Sequence, residues 1–323
     1  MSIERFFLME YRAPYFFRNG HIQSIYPSLF RKLDDRFMVR ERINIEDGDF
    51  LDLDWCRNGS RRLVVISHGL EGHSRRPYIL GMAKAVVDNG WDALAWNFRS
   101  CGGSMNRHLR FYHSGATEDL HRVVNFAVES GDYDEVALIG FSMGGNLSLV
   151  YLGDSQTAPN PKVKKSVVYS VPCDLSASAE QLAQPQNRIY MSRFLKDLKA
   201  KMLAKEKLFP DLLDLTGYEE IKNFRQFDDR YTAPIHGFRN ADHYWEHCSS
   251  RRYIRNIQVP TLIVNAKDDP FLASACYPHD EVDKNPKVRL ETPETGGHVG
   301  FVSFNKNNLY WSERRAVAFL EDS

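Results

Sequence analysis

Between residues 63 and 170, short apolar runs alternate with segments whose apolar residues recur at helical spacing. Runs of four to eight apolar residues bounded by turn signals predict strands that are buried on both faces. The predicted elements in chain order are strand Leu63–Ser67, helix Tyr78–Asn89, strand Asp92–Asn97, helix Thr117–Ser130, strand Glu135–Ile139 and strand Ser166–Ser170. This alternation predicts an α/β fold with right-handed crossovers and a mostly parallel sheet that carries helices on both faces.

The flanking sequence completes the predicted sheet and interrupts it once. Before the alternation, two strands joined around EDGD predict a hairpin. After residue 257 the alternation resumes. The flanking elements are strands Phe37–Ile45, Phe50–Trp55, Val259–Ala266 and Val288–Glu291, and helix Tyr310–Leu320. The insertion before the penultimate strand predicts a helical cap over the carboxyl edge of the sheet, where such sheets bind ligands. The predicted organisation is an irregular N-terminal arm (1–36), a core (37–173 and 258–323) and a cap (174–257).

Composition excludes several classes of function. The 323 residues, 43% of them hydrophobic, suffice for one large α/β domain with an insertion. A net charge of +0 argues against nucleic acid as the main partner. Five scattered cysteines without C-x-x-C spacing indicate reduced thiols. Neither a signal peptide nor an apolar run of about 18 residues is present, so we expect a soluble cytoplasmic protein. No oligomeric state is predicted.

The strand Glu135–Ile139 leads into the stretch IGFSMGGN at residues 139–146, in which Ser142 lies between Gly140 and Gly144. The following residues, up to position 152, have the apolar spacing of a helix. A strand, a G-x-S-x-G turn and a helix are typical of a nucleophile elbow, where a strained backbone holds the serine hydroxyl clear of the sheet. The pattern predicts that Ser142 is a nucleophile. The alternative is a structural turn rich in glycine.

A serine nucleophile needs a base that accepts its proton and a carboxylate that orients the base. In chains with such an elbow, the acid and then the base follow the serine. Of 11 histidines, only His279 and His298 follow the predicted strand Val259–Ala266. His298 lies in the glycine-flanked loop after the last strand and could reach back over the sheet edge, so His298 is the predicted base. The alternative is a structural histidine.

The acid is expected just after the penultimate strand, where NAKDDPF contains Asp268 and Asp269. The usual spacing between strand and acid selects Asp269, which leaves Asp268 as a turn or supporting residue. Asp174, after strand Ser166–Ser170, is a third candidate.

Acyl transfer also needs donors for the developing oxyanion, and backbone amides supply them. One predicted donor is the amide of Met143, directly after the serine. The other is the amide of Leu70, in the loop SHGLEGH after strand Leu63–Ser67. In the same loop His68 is predicted to be structural.

Motifs along nearly the whole chain carry a further resemblance. They are RNGHIQSIY, HGLEGHS, NFRSCGG, FYHSGATEDL, IGFSMGGN, QFDDRYTAPIHGF, CSS, NAKDDPF and GGHVGF. In this order they resemble the YheT-like α/β-hydrolase family, which is related to the ABHD group of lipid esterases. The resemblance implies an α/β-hydrolase fold, Ser142, Asp269 and His298 as a catalytic triad, and no cofactor or metal. It also implies carboxylesterase or acylglycerol lipase activity.

The resemblance leaves some features open. Eukaryotic relatives carry an N-terminal membrane anchor that this sequence lacks, so the chain is more similar to the soluble bacterial branch. Arg99, His113 and Asp119 lie in family motifs. A buried ion pair or a turn hydrogen bond explains each of them at least as well as contact with substrate.

Two other classes of function compete with a serine hydrolase. HYWEH, from His243 to His247, fits the inverted zincin motif H-x-x-E-H, in which two histidines bind zinc and Glu246 acts as base. No third ligand is identifiable, and a helix end in the cap explains the stretch as well. The second alternative is a binding module that keeps the fold without catalysis. Acyl transfer to an acceptor other than water also stays open.

One cap segment bears on the substrate, because its apolar residues recur at helical spacing. The apolar stripe consists of Met191, Phe194, Leu195, Leu198 and Met202, and the basic residues largely off the stripe are Arg193, Lys196, Lys199 and Lys201. The pattern predicts a helix that packs on the core with a solvated basic face. The second interpretation is a helix that lines an acyl pocket or rests on a lipid surface. Both favour a small-molecule substrate, an acyl ester of short to medium chain length.

Overall fold

The protein is built around an eight-stranded sheet, in a computed structural model that describes residues 10–156 and 158–322. The strands are β1 (Val39–Asn44), β2 (Phe50–Cys56), β3 (Arg62–Ser67), β4 (Asp92–Asn97), β5 (Glu135–Phe141), β6 (Val163–Tyr169), β7 (Thr261–Val264) and β8 (Val288–Glu291). Their order across the sheet is β1-β2-β4-β3-β5-β6-β7-β8. The β1–β2 and β2–β4 pairs are antiparallel and the other pairs are parallel. The predicted hairpin and the mostly parallel sheet are therefore confirmed.

Helices cover both faces of this sheet. The α-helices of the described residues are α1 (Gly20–Phe30), α2 (Pro77–Val87), α3 (Thr117–Ser130), α4 (Met143–Gly153), α5 (Leu175–Leu182), α6 (Arg188–Leu208), α7 (Phe224–Phe227), α8 (Ala233–Ile235), α9 (Ala241–Cys248), α10 (His279–Val282) and α11 (Trp311–Glu321). A π-helical turn spans Asp228–Thr232. In this part of the chain, no helix has the length and apolarity needed to span a bilayer.

The strands divide the core into two layers, because successive side chains of a strand point to opposite faces. In β3, Leu63 and Val65 belong to the apolar cluster that contains residues of α3, α4 and the cap segment. Val64 and Ile66 belong to the other cluster, with residues of α2 and α11. All four side chains have no solvent exposure. This two-sided burial explains why the strands are continuously apolar rather than alternating.

The arm is more regular than the sequence suggests, since residues 20–30 form helix α1. Asn19 caps this helix, and its side chain accepts hydrogen bonds from the amides of His21 (3.0 Å) and Ile22 (3.2 Å). The helix begins with glycine and contains Pro27, two residues of low helix propensity, so local sequence does not favour it. Contacts with the rest of the fold, described below, stabilise it.

The cap segment, residues 174–257, contains α5 to α9, and the domain boundaries around it stay predictions. The predicted apolar stripe lies on α6 and faces the interior, where Met191, Leu195 and Met202 are buried. The stripe is therefore not available to a lipid surface. The prediction of a solvated basic face was wrong for Lys201, which is buried, whereas Arg193 is exposed.

Candidate active site

Ser142 lies in a sharp turn between β5 and α4. Its backbone has φ 53° and ψ −119°, a conformation that non-glycine residues rarely adopt and that costs about 1–3 kcal/mol. The turn is tight enough that a Cβ on Gly140 would lie 2.5 Å from the carbonyl oxygen of Gly144. The amide of Ser142 donates to the carbonyl of Tyr169 in β6 (2.8 Å). The strained backbone is therefore held from both sides, with the hydroxyl at the carboxyl edge of the sheet.

The structure brings the side chains of Ser142, His298 and Asp269 together. His298 Nε2 lies 2.9 Å from Ser142 Oγ, and His298 Nδ1 lies 2.9 Å and 3.1 Å from the two carboxylate oxygens of Asp269. The Asp269 side chain is fully buried and that of His298 is 12% exposed. When Nδ1 carries the proton, His298 donates to Asp269 and can accept from the serine hydroxyl. This is the geometry that a serine nucleophile with its base requires.

Helix α1 supports the histidine loop from the far end of the chain. The amide of His298 donates to Ser24 Oγ (2.7 Å), and the amide of Val302 donates to Gln23 Oε1 (2.9 Å). Gly297 has φ +57°, and a Cβ there would lie 2.7 Å from the Cβ of Gln23. Only glycine fits this approach. The arm is thus part of the scaffold of the site, which the sequence reasoning missed although RNGHIQSIY belongs to the recognised motifs.

The cap segment holds the turn that carries Asp269. Asn187 Nδ2 donates to the carbonyl of Pro270 (2.7 Å), and Ser178 Oγ donates to the carbonyl of Phe271 (2.9 Å). The amide of Phe271 donates to the Asp269 carboxylate (2.9 Å), and its ring stacks on His298 with centroids 4.0 Å apart. The apolar ring shields one face of the imidazole from water. Core and cap together fix the carboxylate and the histidine.

The amides of Leu70 and Met143 both belong to residues that border Ser142 and line the same cavity. In the described part of the chain, neither amide donates to another protein group. The loop of Leu70 approaches the serine closely, because a Cβ on Gly69 would lie 3.2 Å from the Cβ of Ser142. Both predicted oxyanion donors therefore lie beside the nucleophile.

A buried ion pair ties the cap to the Leu70 loop. Lys201 Nζ of α6 donates to Glu71 Oε1 (2.6 Å), and the side chains of Lys201 and Glu71 are only 5% and 10% exposed. Tyr112 strengthens the link, since its hydroxyl donates to the Glu71 carboxylate and its ring lies under Lys201 Nζ at 4.4 Å. Glu71 itself has φ 51°. The residue after the predicted donor is therefore held in a strained conformation by a cap lysine.

Ser142 lines a cavity between the sheet and the cap. The empty volume of this cavity, including its opening to solvent, is about 800 Å³. Its walls are mostly apolar and aromatic. They include Leu70, Phe111, Leu175, Leu182, Phe194, Leu198, Phe224, Phe227, Trp245 and Phe271. His113 also lines the cavity, so contact with substrate stays open for this residue. A concave apolar site beside a few placed polar groups is typical of small-molecule binding.

Asp228 is a polar exception in this wall that the sequence reasoning did not single out. It begins the π-helical turn, is 9% exposed and accepts a hydrogen bond from Trp245 Nε1 (2.8 Å). Burial raises the pKa of Asp228 to about 7. In the described residues no cation pairs with this carboxylate. In the sequence, its one signal was its place in QFDDRYTAPIHGF, a motif of the family resemblance. The π-helical turn that it begins is a kind of turn that is frequent at functional sites.

The other aspartate candidates lie outside the serine–histidine contact. Asp268 Oδ1 accepts from the amide of Gly297 (2.8 Å), so it supports the histidine loop, and burial raises the pKa of Asp268. Asp174 caps α5 by accepting from the amide of Ala177 (3.0 Å). Asp269 alone of the three contacts His298 Nδ1 in the structure described.

The other candidate histidines make local contacts. His279 is the first residue of α10. His68 is fully buried, accepts at Nε2 from the amide of Phe98 (3.1 Å) and has its pKa lowered by burial to about 3. His243 and His247 lie on α9 with ring centroids 4.1 Å apart. Within the described ranges, no group of three histidine, cysteine or acidic side chains is arranged to bind a metal ion.

Arg99 and Asp119 form a buried ion pair. Two hydrogen bonds of 2.8 Å and 2.7 Å join them, and Arg99 also contacts Asp47 and Asp49. Both side chains are nearly unexposed, and neither is among the residues that line the cavity. This network anchors the loop after β4 to the hairpin, which is the structural alternative considered for these residues.

Comparison with known proteins agrees with this architecture. The family model of the alpha/beta hydrolase fold matches residues 62–304. The YheT protein of Escherichia coli (strain K12) is 36% identical over 293 residues, which cover 88% of this chain and 85% of YheT. Phospholipase ABHD3 of Bos taurus is 30% identical over 272 residues, 81% of this chain and 66% of that relative.

Among solved structures, an esterase of Pyrococcus furiosus, Pf2001, superposes with a TM-score of 0.63 at 17% identity. The match covers 96% of this chain and 98% of that chain, and it shows likeness of fold. Together with the sheet order and the serine elbow, these matches mean that the chain belongs to the α/β-hydrolase family, in the group that contains YheT and the ABHD3 phospholipases.

Proposed function

We propose that the protein hydrolyses carboxylic esters through an acyl-enzyme on Ser142, with His298 as base and Asp269 as the orienting acid. The observation that carries this proposal is the continuous contact from Ser142 Oγ through His298 to Asp269 at hydrogen-bond distances. The related proteins support an ester substrate, since their names include a phospholipase and, in Saccharomyces cerevisiae, a monoacylglycerol lipase.

The proposed reaction has two stages. In the first, His298 Nε2 takes the proton of Ser142 Oγ while the oxygen attacks the ester carbonyl, and the amides of Leu70 and Met143 donate to the oxyanion. The imidazolium then gives this proton to the leaving alcohol, so the acyl group stays on Ser142. In the second stage His298 Nε2 takes a proton from a water while the water oxygen attacks the acyl carbonyl. The imidazolium then gives this proton to Ser142 Oγ, and the carboxylic acid is released.

The cavity supports an acyl ester of short to medium chain length as substrate, with acylglycerols among the candidates. An apolar space of about 800 Å³ next to the serine favours burial of an alkyl chain, and we take its limited volume to favour a chain of short to medium length. We expect kcat/KM for p-nitrophenyl esters to rise from acetate to a medium chain and to fall at palmitate. All esters should be tested at the same concentration, below the concentration at which any of them aggregates. A maximum at the longest chain would contradict this choice of substrate.

The reaction class is tested by labelling with a fluorophosphonate. The reagent is expected to form one stable adduct, on Ser142, because only an activated serine attacks phosphorus at a useful rate. Intact-mass and peptide mass spectrometry of the labelled protein measure this. Ser142→Ala is the matched variant and should remain unlabelled.

Two outcomes of this experiment would favour the competing functions. A folded protein without an adduct would support a binding module on the same fold. Ester hydrolysis that persists after labelling and is abolished by a chelator would support zinc chemistry at His243 and His247 instead.

The Lys201–Glu71 pair is expected to act on the rate of the chemical step. Lys201→Met leaves the Glu71 carboxylate buried without its cation, so the loop of Leu70 should lose its fixed geometry. Because an oxyanion donor acts mainly in the transition state, we expect kcat to fall roughly ten- to hundredfold with little change in KM. Steady-state kinetics on one soluble ester measure the two constants.

A second buried lysine of α6 provides the control. Lys205 donates to Asn106 Oδ1 (2.5 Å), away from the Leu70 loop, and burial lowers the pKa of Lys205 to about 8. Lys205→Met should lower the thermal unfolding temperature but leave kcat nearly unchanged, and Lys201→Arg should restore much of the lost rate. Equal losses of kcat in Lys201→Met and Lys205→Met would show that any loosening of the cap has this effect.

A further inference from the structure

The arm and α1 expose an apolar surface on the side that faces away from the core. Its members are Tyr15, Phe16, Ile22, Leu29, Phe30 and, from the loop after the histidine, Phe304. Phe16 is 81% exposed and Phe30 is 64% exposed, so most of each side chain is in contact with solvent. We call these six residues the aromatic arm face. Contiguous apolar surface of this kind on a folded protein marks a site of interaction.

The face is organised by ring contacts rather than scattered. Phe17 lies edge-on to Tyr26 and to Phe304, with centroids 4.8 Å and 5.2 Å apart, and Tyr26 lies 5.0 Å from Phe30. The half-buried rings of Phe17 and Tyr26 thereby join the 3₁₀ turn Tyr15–Phe17, helix α1 and the loop of Phe304 into one surface. The three segments therefore present their apolar side chains together.

The charge around this face is positive although the whole chain is neutral. Arg18, Lys32 and Lys306 are exposed, and within residues 10–156 and 158–322 none of them pairs with a carboxylate. Among the described acidic residues that flank the face in sequence, Glu10 pairs with Arg12, Asp34 with Arg36 and Asp35 with Arg75. Arg18 lies over the Tyr15 ring at 5.4 Å. Aromatic side chains bordered by exposed cations complement an anionic, interfacial partner.

We propose that the aromatic arm face docks on an anionic lipid bilayer. Phenylalanine and leucine side chains can enter the boundary between head groups and acyl chains, while the cations stay with the head groups. Each lysine or arginine near an anionic surface contributes about fivefold to partitioning. A second copy of the chain fits less well, because a symmetric contact would bring the same exposed cations against each other.

Part of the aromatic arm face lies on the same helix that supports the loop of His298. Helix α1 carries Ile22, Leu29 and Phe30 on its outer side, and on its inner side Ser24 holds the amide of His298. His21 of the same helix lies 3.1 Å from the Tyr190 hydroxyl of α6. A bilayer bound at the face would therefore lie beside the histidine loop and the start of the cap helix. The docking itself does not depend on the proposed hydrolysis.

The proposal is tested by sedimentation of the full chain with vesicles of phosphatidylcholine, alone or mixed with phosphatidylglycerol. We expect binding to the mixed vesicles that weakens as salt rises, because head-group attraction is screened. Phe16→Ser/Phe30→Ser should lower the partition coefficient at least about tenfold. Lys32→Glu/Lys306→Glu should lower it at least about tenfold on mixed vesicles only. Neither pair lies in the cavity, so hydrolysis of a soluble ester and fluorophosphonate labelling should be unchanged.

The matched control uses apolar residues of the cap that are equally exposed. Ile189 is 75% exposed and Leu212 is 66% exposed, so Ile189→Ser/Leu212→Ser removes similar apolar surface elsewhere. The proposal would be overturned if the unsubstituted protein did not bind vesicles, or if this control variant lost binding to the same extent. Sedimentation equilibrium showing a dimer that Phe16→Ser/Phe30→Ser dissociates would also overturn it, since a second copy would then cover the face.

Discussion

Replacing His298 with alanine is expected to lower kcat for ester hydrolysis about 10⁶-fold, as much as replacing Ser142 with alanine. The two side chains act as one unit, because the serine oxygen attacks only as its proton moves to Nε2. The double variant should therefore be no slower than either single variant. Single-turnover kinetics with an activated ester, at enzyme in excess, measure rates this low.

His279→Ala is the control for this experiment, because His279 also follows the penultimate strand but lies at the start of α10. It should keep nearly full activity. All variants should unfold at similar temperatures, since His298 contributes little to the core. If His298→Ala retained more than about a hundredth of the activity, a different base would have to serve the serine.

Asp269→Asn is expected to lower kcat roughly 10⁴-fold while the fold is kept. The reason is the tautomer of His298: an amide nitrogen at position 269 would donate to Nδ1, which places the imidazole proton on Nε2. In that form Nε2 cannot accept the proton of Ser142. The pH dependence of kcat for the variant, compared with the original chain, distinguishes this effect from simple loss of folded protein.

The neighbouring aspartate separates this role from that of a supporting residue. Asp268 accepts a backbone hydrogen bond from Gly297, and an asparagine oxygen can accept the same bond. Asp268→Asn should therefore keep most of the activity. A larger loss in Asp268→Asn than in Asp269→Asn would mean that the acid had been assigned one residue too late.

Sequence reasoning placed the elements of the sheet well where apolar residues dominate a strand or helix. Asp92–Asn97, Thr117–Ser130 and Val288–Glu291 have the predicted bounds. Strand β6 begins at Val163, three residues earlier than predicted. Lys164 and Lys165 interrupt the apolar run there, and the exposed Lys164 side chain points away from the core. Helix α1 was missed because tertiary contacts, rather than helix propensity, stabilise it.

In the candidate site too, residues marked by local sequence pattern could be predicted, and residues placed by tertiary contacts could not. Ser142, His298 and Asp269 could be located because each follows a strand, and parallel strands end at one edge of the sheet. Their catalytic roles stay predictions. Lys201 could not be placed correctly, since its helical periodicity indicates a solvated face and its partner Glu71 lies 130 residues away. Local patterns do not report charges that meet only in the folded state.

The contact between Ser24 and the amide of His298 also sets an order of events during synthesis, because 274 residues separate the two groups. At about 5–20 residues per second, the ribosome needs roughly 15–55 seconds to add the chain between them. Through that interval α1 lacks its partner, and contacts between such distant residues form late in folding. We therefore expect an unfinished chain to remain inert towards esters, and hydrolytic competence to arise in a single late step when both ends of the protein meet.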